Sequence, residues 1–218
     1  MQKVVIIDYG SGNLRSAAKA FERMNSELGL KYTIEVSSQT ETVMSADRVV
    51  LPGVGSFPDC YVGVNKQEGL LEALNEIVIE KARPFLGICV GMQLMASKGY
   101  ENGETSGFDW IEGDVIAIKR SDDQVKIPHM GWNELDITET NHLVLENLCN
   151  IGQKPHVYFV HSFHMVPKKS DHILAVTEYG QRVTAIVGKD NMIGTQFHPE
   201  KSQKTGLQLI ANFLQWSP

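Results

Sequence analysis

Apolar positions follow two alternating periods along the first half of the chain. "KVVIIDYG" is a near-continuous apolar run that predicts a buried strand, and "SGNLRSAAKAFERM" follows it with Ala18, Phe21 and Met24 at helical spacing. "YTIEVSS" predicts a second strand, and "ADRVVLPGVGSF" a third that ends in a Gly-rich loop. "GLLEALNEIVIEKA" reads as an amphipathic helix leading into an apolar, Pro-led strand, "RPFLGIC", which then turns into a helix-like segment rich in Met, Leu and Ala. Strands alternating with helices predict a parallel sheet covered on both faces.

The second half loses that alternation. "DWIEGDVIAIKRSDDQVKIPHMGWNELDI" predicts antiparallel strands around an Asp-rich turn. "PHVYFVHSFHM", "HILAVTEYG", "VTAIVGKD" and "NMIGTQFHPE" add strand-like segments, and "TGLQLIANFLQW" predicts a closing helix. With no repeat, low-complexity stretch or linker, residues 1–218 are expected to form a single α/β domain: a mostly parallel central sheet flanked by helices, with antiparallel strands added in the second half.

Composition narrows the function. The 20 basic and 26 acidic residues leave a net charge of −6 without a basic run or interleaved aromatics, which argues against a nucleic-acid partner. "KVVIID" is too short to span or address a membrane and carries Asp8, so a cytoplasmic location is expected. Cys60, Cys89 and Cys149 are an odd set with no metal-ligand spacing, expected to be thiols in a reducing compartment. Neither a metal nor a cofactor is expected. "GSGNLR" begins like a dinucleotide fingerprint, but Arg15 stands where the third glycine belongs, which argues against nucleotide binding.

Cys89 sits at the strand-to-helix join, with Gly87 two positions before and Gly91 two after. G-x-C-x-G is the spacing of a nucleophile elbow, in which close neighbours must lack bulky side chains. A small buried hydrophobe fits the same residue, and the motif alone leaves both readings open. Cys60 and Cys149 lack the glycine framing, which favours a structural or surface role for both. A thiol nucleophile needs a base, and of the seven histidines His198 in "QFHPEKS" is best situated. Pro199 disfavours helical backbone at His198, so an extended segment is expected to turn His198 and Glu200 to the same side. Glu200 could then hold one ring nitrogen and leave the other for the thiol. The backbone N–H of Val90, at a helix N-terminus that also favours a thiolate, is a candidate oxyanion donor. "PGVG", residues 52–55, lies at the carboxyl edge of the third strand and could supply a second.

Taken in order, "LPGVG", "GICVGMQL" and "QFHPEKS" resemble the class I (triad) glutamine amidotransferases, which have a flavodoxin-like α/β fold. "IPHMGWN" with "YFVHSF" resembles one branch, the glutaminase subunits of imidazole glycerol phosphate synthases, and the similarity covers nearly the whole chain. The resemblance implies that Cys89 attacks the side-chain amide of L-glutamine, that His198 shuttles the proton and that Glu200 orients His198. It further implies Val54 and Val90 as oxyanion donors, and Gly53, Gly55, Gln93, His161, Ser162 and Phe163 as substrate-binding positions. A heterodimer is expected, in which Asn13, Pro128, Met130, Trp132 and Lys201 meet a (β/α)8-barrel cyclase that receives the ammonia for histidine biosynthesis. From the residues alone, Trp132 reads better as a core aromatic and Lys201 as a solvated lysine.

Three alternatives stay open. Phe163-His164 after "VHS" and Trp110 in "GFDWIEGDV" depart from the usual wording of that branch, and similar wording occurs in paralogues that supply ammonia for amidating surface-polysaccharide sugars. A stand-alone γ-glutamyl thiol hydrolase would use the same nucleophile without a partner. A non-catalytic binding module would not need Cys89, His198 and Glu200 intact.

Overall fold

The computed structural model describes residues 2–120, 125–148 and 154–218. The first half runs β1 (Lys3–Ile7), α1 (Leu14–Glu27), β2 (Thr33–Ser37), α2 (Thr40–Met44), β3 (Arg48–Gly53), α3 (Phe57–Lys66), α4 (Leu70–Asn75), a π turn over Glu76–Glu80, and β4 (Phe85–Cys89). The second runs α5 (Val90–Gln93), β5 (Ala96–Gly99), β6 (Thr105–Ser106), β7 (Ile111–Ala117), β8 (His129–Glu134), β9 (Asp136–Ile137), β10 (His156–His161), β11 (Phe163–Pro167), β12 (Ile173–Glu178), β13 (Arg182–Lys189), β14 (Met192–Thr195) and α6 (Gln203–Gln215).

The central sheet has eight strands in the order β2-β1-β3-β4-β14-β13-β12-β9, parallel from β2 to β14 and antiparallel beyond. Every residue of β3, β4 and β14 is buried, as strands covered on both faces require. α1 and α6 pack together, with Phe21 edge-on to Phe213 at 6.1 Å. Arg48, buried on β3, donates to the carbonyls of Phe213, Leu214 and Trp216 and so caps the end of α6 with a cation.

Three sequence expectations need correction. Among the described residues, the strands of "DWIEGDVIAIK" and "PHMGWNE" do not pair with each other: β7 lies in a four-stranded sheet, β11-β7-β5-β6, and β8 pairs only with β10. The Asp-rich turn between them, and Cys149, lie outside the described residues. "PHVYFVHSFHM" is two strands, because the chain leaves the β8–β10 pair at Ser162 and enters the β7 sheet at Phe163. Alternation persists across this switch, so period alone could not announce a change of partner.

The segment after Cys89 is not an amphipathic helix. α5 is one turn long, and all residues from Val90 to Ala96 are buried. The carbonyls of Leu94, Met95 and Ala96, which a longer helix would use, accept instead from the N–H groups of Phe108, Asp109, Trp110 and Ile111. Gly91 lets this turn press on β3, since a Cβ there would lie 1.8 Å from the Leu51 carbonyl oxygen. Gly91→Ala is therefore expected to lower stability by at least about 2 kcal/mol through overpacking against backbone that cannot yield. Chemical denaturation checks this, and an unchanged midpoint would refute the close approach.

Candidate active site

Cys89 ends β4 with φ 56° and ψ −111°, the strained backbone of an elbow that lifts its side chain off the sheet edge. Gly87 is needed beside it, because a Cβ there would lie 2.6 Å from the Gly91 carbonyl oxygen. Cys89 Sγ lies 3.7 Å from Gln196 Nε2, which donates to it, and 4.0 Å from the Val160 carbonyl. It opens into a cavity of about 260 Å³ whose lining also includes Val54, Gly55, Val90, Gln93, Pro128 and His198. His161, Ser162 and Phe163 form another part of its wall.

His198 follows β14 and is tied down by backbone. Its N–H donates to the Tyr158 carbonyl, and its own carbonyl accepts from Ser202 Oγ at 2.7 Å. His198 Nδ1 donates to Glu200 Oε1 at 2.9 Å, which leaves Nε2 as the ring nitrogen available for proton exchange with the reacting groups. Among the described residues Nε2 has no hydrogen-bond partner. The extended reading of "HPE" is half right: His198 is extended, but Pro199–Lys201 forms a 3₁₀ turn, and it is the turn that closes Glu200 onto His198. Burial opposes charge on His198, yet the proximity of Cys89 and the hydrogen-bonded Glu200 carboxylate outweigh it and push the imidazole up to about 10.

α5 is too short for an appreciable macrodipole, so negative charge developing on a substrate in the cavity would rest on nearby N–H groups and on His198. Val90 supplies one such N–H at the first helical position, where no intrahelical partner exists. Val54 reaches the cavity rim, but its N–H is 3.3 Å from Ser11 Oγ, and its carbonyl accepts from Ser11 Oγ and from Cys60 Sγ. Cys60 is thus a buried free thiol behind the Gly-rich loop, with burial raising its pKa, and not a surface residue.

Gln93 Nε2 donates to the Phe163 carbonyl at 3.0 Å and to Gln196 Oε1 at 3.1 Å. Gln196 is fully buried and joins Gln93 to Cys89, a role the sequence reading missed because a polar residue at a strand end carries no motif. Of the surface positions, Met130 and Trp132 are 61% and 47% exposed, and Pro128 and Lys201 are exposed too. Asn13 instead turns inward, and its Nδ2 lies 3.3 Å from Glu200 Oε1. Among the described residues no group of three or more His, Cys, Asp or Glu side chains could hold a metal ion, and no helix is long and apolar enough to cross a membrane.

A thiol, an oriented imidazole and backbone donors around one small cavity can carry out acyl transfer from an amide. The model of the glutamine amidotransferase class-I family matches residues 5–216. The chain is 54% identical over 216 residues to "Imidazole glycerol phosphate synthase subunit HisH" of Agrobacterium fabrum, covering 99% of this chain and 100% of that protein. It is 56% identical to the protein of the same name from Rhodopseudomonas palustris, covering 99% of each. A crystal structure of a glutamine amidotransferase superposes with a TM-score of 0.68 over 97% of both chains at 17% identity, a likeness of fold. With the family's model matched over almost its whole length, the chain belongs to the class-I glutamine amidotransferases.

Proposed function

We propose that this chain is the glutaminase subunit of an imidazole glycerol phosphate synthase, hydrolysing L-glutamine and delivering the ammonia to a (β/α)8-barrel cyclase subunit in histidine biosynthesis. The observation that carries the reading is a single cavity whose lining joins Cys89 and His198 to Gln93 and the 161–163 wall and runs to Pro128, beside the exposed Met130 and Trp132. The shared name of the full-length relatives favours this branch over a surface-polysaccharide paralogue or a stand-alone thiol hydrolase.

Cys89 Sγ attacks the amide carbon of glutamine, and the developing oxyanion takes N–H bonds from Val90 and Val54. His198 Nε2 delivers the proton to the departing nitrogen, ammonia leaves, and a γ-glutamyl thioester remains. His198 then draws a proton from water, whose oxygen attacks the thioester; glutamate departs and the thiol returns. Glu200 keeps Nδ1 protonated and stabilises the imidazolium, with Asn13 holding the carboxylate.

Trp132 is the aromatic anchor of the proposed docking face. Trp132→Ala is expected to raise the concentration of cyclase subunit needed for half-maximal glutaminase stimulation at least about tenfold, with the saturated rate little changed. Titration of glutamate release against the barrel subunit measures this. An unshifted titration, or full activity on γ-glutamyl peptides without any barrel, would overturn the reading.

A further inference from the structure

His129 lies in "PHMGWN", but on the opposite face of β8 from Met130 and Trp132, and it is buried. Its ring is held between those of Phe159 and Tyr179, with centroids at 4.5 and 3.9 Å and both planes within 20° of its own. That sandwich fixes the plane of the imidazole and aims its two nitrogens at two partners. His129 Nε2 is 3.3 Å from Asn133 Nδ2, and His129 Nδ1 is 3.0 Å from His161 Nε2. His161 Nδ1 in turn is 2.8 Å from the Phe163 carbonyl, the same oxygen that accepts from Gln93 Nε2.

The protons in this chain are determined from both ends. At one end, the Asn133 amide is oriented by its neighbours: Nδ2 donates to the Glu178 carbonyl and Oδ1 accepts from the Glu134 N–H. Nδ2 is therefore a donor toward His129, whose Nε2 must be bare and whose Nδ1 must carry the proton. At the other end, the Phe163 carbonyl can only accept, so His161 Nδ1 carries its proton and His161 Nε2 must accept from His129. Both ends require the same pair of tautomers, and burial keeps both rings neutral, with His129 held down to about 4 and His161 to about 3.

We infer that His129 is a positioning residue for glutamine hydrolysis: by donating to His161 Nε2 it locks the His161 tautomer that grips the Phe163 carbonyl in the wall of the glutamine pocket. Without that donor, the buried His161 Nε2 loses its partner, and the ring gains by moving its proton to Nε2 or by turning, either of which releases the Phe163 carbonyl and loosens Gln93. The inference rests on the glutaminase reading. It concerns substrate fit, because His129 touches neither Cys89 nor His198.

The test uses the full chain with its cyclase subunit. His129→Phe keeps the stacked ring but removes the donor, and it is expected to raise KM for glutamine about tenfold with kcat changed less than about threefold. His129→Asn, whose Nδ2 stands near the old Nδ1, is expected to restore most of the affinity. Equal losses in both variants, or a loss confined to kcat, would overturn the assignment. Side-chain 15N NMR of the wild-type chain is a readout independent of activity: both His129 and His161 are expected in the Nδ1–H form, and an Nε2–H form at either would refute the relay. An inactive wild-type complex would sink the glutaminase reading, while the tautomers would still decide the relay.

Discussion

Cys89→Ser is expected to lower glutamine hydrolysis at least about a thousandfold while leaving the unfolding midpoint within experimental scatter. The substitution exchanges one atom inside an elbow whose geometry is imposed by Gly87, Gly91 and the backbone of β3, so packing is retained. What is lost is the sulfur nucleophile. A serine hydroxyl is a far poorer nucleophile, and it removes the Cys89 contribution that helps raise His198, so the imidazole is expected to titrate below about 10 in the variant, with Glu200 still raising it against burial. Glutamate release and an NMR titration of His198 test both halves. Survival of even about a tenth of the activity would remove Cys89 from the mechanism. The same variant, paired with its cyclase subunit, is expected to make imidazole glycerol phosphate from added ammonium salt, since acceptor chemistry belongs to the other chain.

That elbow was legible in the sequence because its requirements are local. G-x-C-x-G states that two positions beside Cys89 tolerate no side chain, and the structure gives the obstacles: the Leu51 and Gly91 carbonyl oxygens. The parallel half of the sheet was legible for a similar reason, since strands covered on both faces read as near-continuous apolar runs, as β4 does and as β3 does after Arg48. His198 and Glu200 were legible as a pair, although a 3₁₀ turn rather than an extended strand joins them.

What escaped was decided by distant partners. Nothing within "DVIAIK" or "HMGWNE" says that β7 will pair with β11 and β8 with β10, because each strand satisfies its ladder equally well with any neighbour of matching face. Gln196 and His129 act through hydrogen bonds to residues more than thirty positions away, which no spacing rule reaches. α3 was a different failure. Its start is signalled by "SFPD", in which Ser56 accepts from the Asp59 N–H and Pro58 stands in the first turn, but the adjoining Gly-rich loop masks that signal in the sequence.

The isolated chain is expected to hydrolyse glutamine at least about a hundredfold more slowly than its complex with a ligand-loaded cyclase subunit, the effect of one oxyanion donor. The proposed donor at Val54 is engaged elsewhere: its N–H is directed at Ser11 Oγ, and its carbonyl accepts from Ser11 and Cys60. Both peptide groups at Val54 are therefore held from the side of the loop after β1, which leads into Asn13 and the proposed docking face. Gly55, with φ 105° and open space where a Cβ would stand, follows Val54 and gives the loop room to rotate once that hold is released. Docking must supply the free energy for this rotation, and the Ser11 hydroxyl sets part of its cost. Ser11→Ala is thus expected to raise the basal rate of the isolated chain about fivefold, the worth of roughly one net hydrogen bond, while the rate of the full complex stays unchanged. Glutamate release with and without the barrel subunit measures both. An isolated chain as fast as the complex would defeat the coupling, whereas intact stimulation with no basal gain in Ser11→Ala would move the restraint from Ser11 to the backbone of the loop itself.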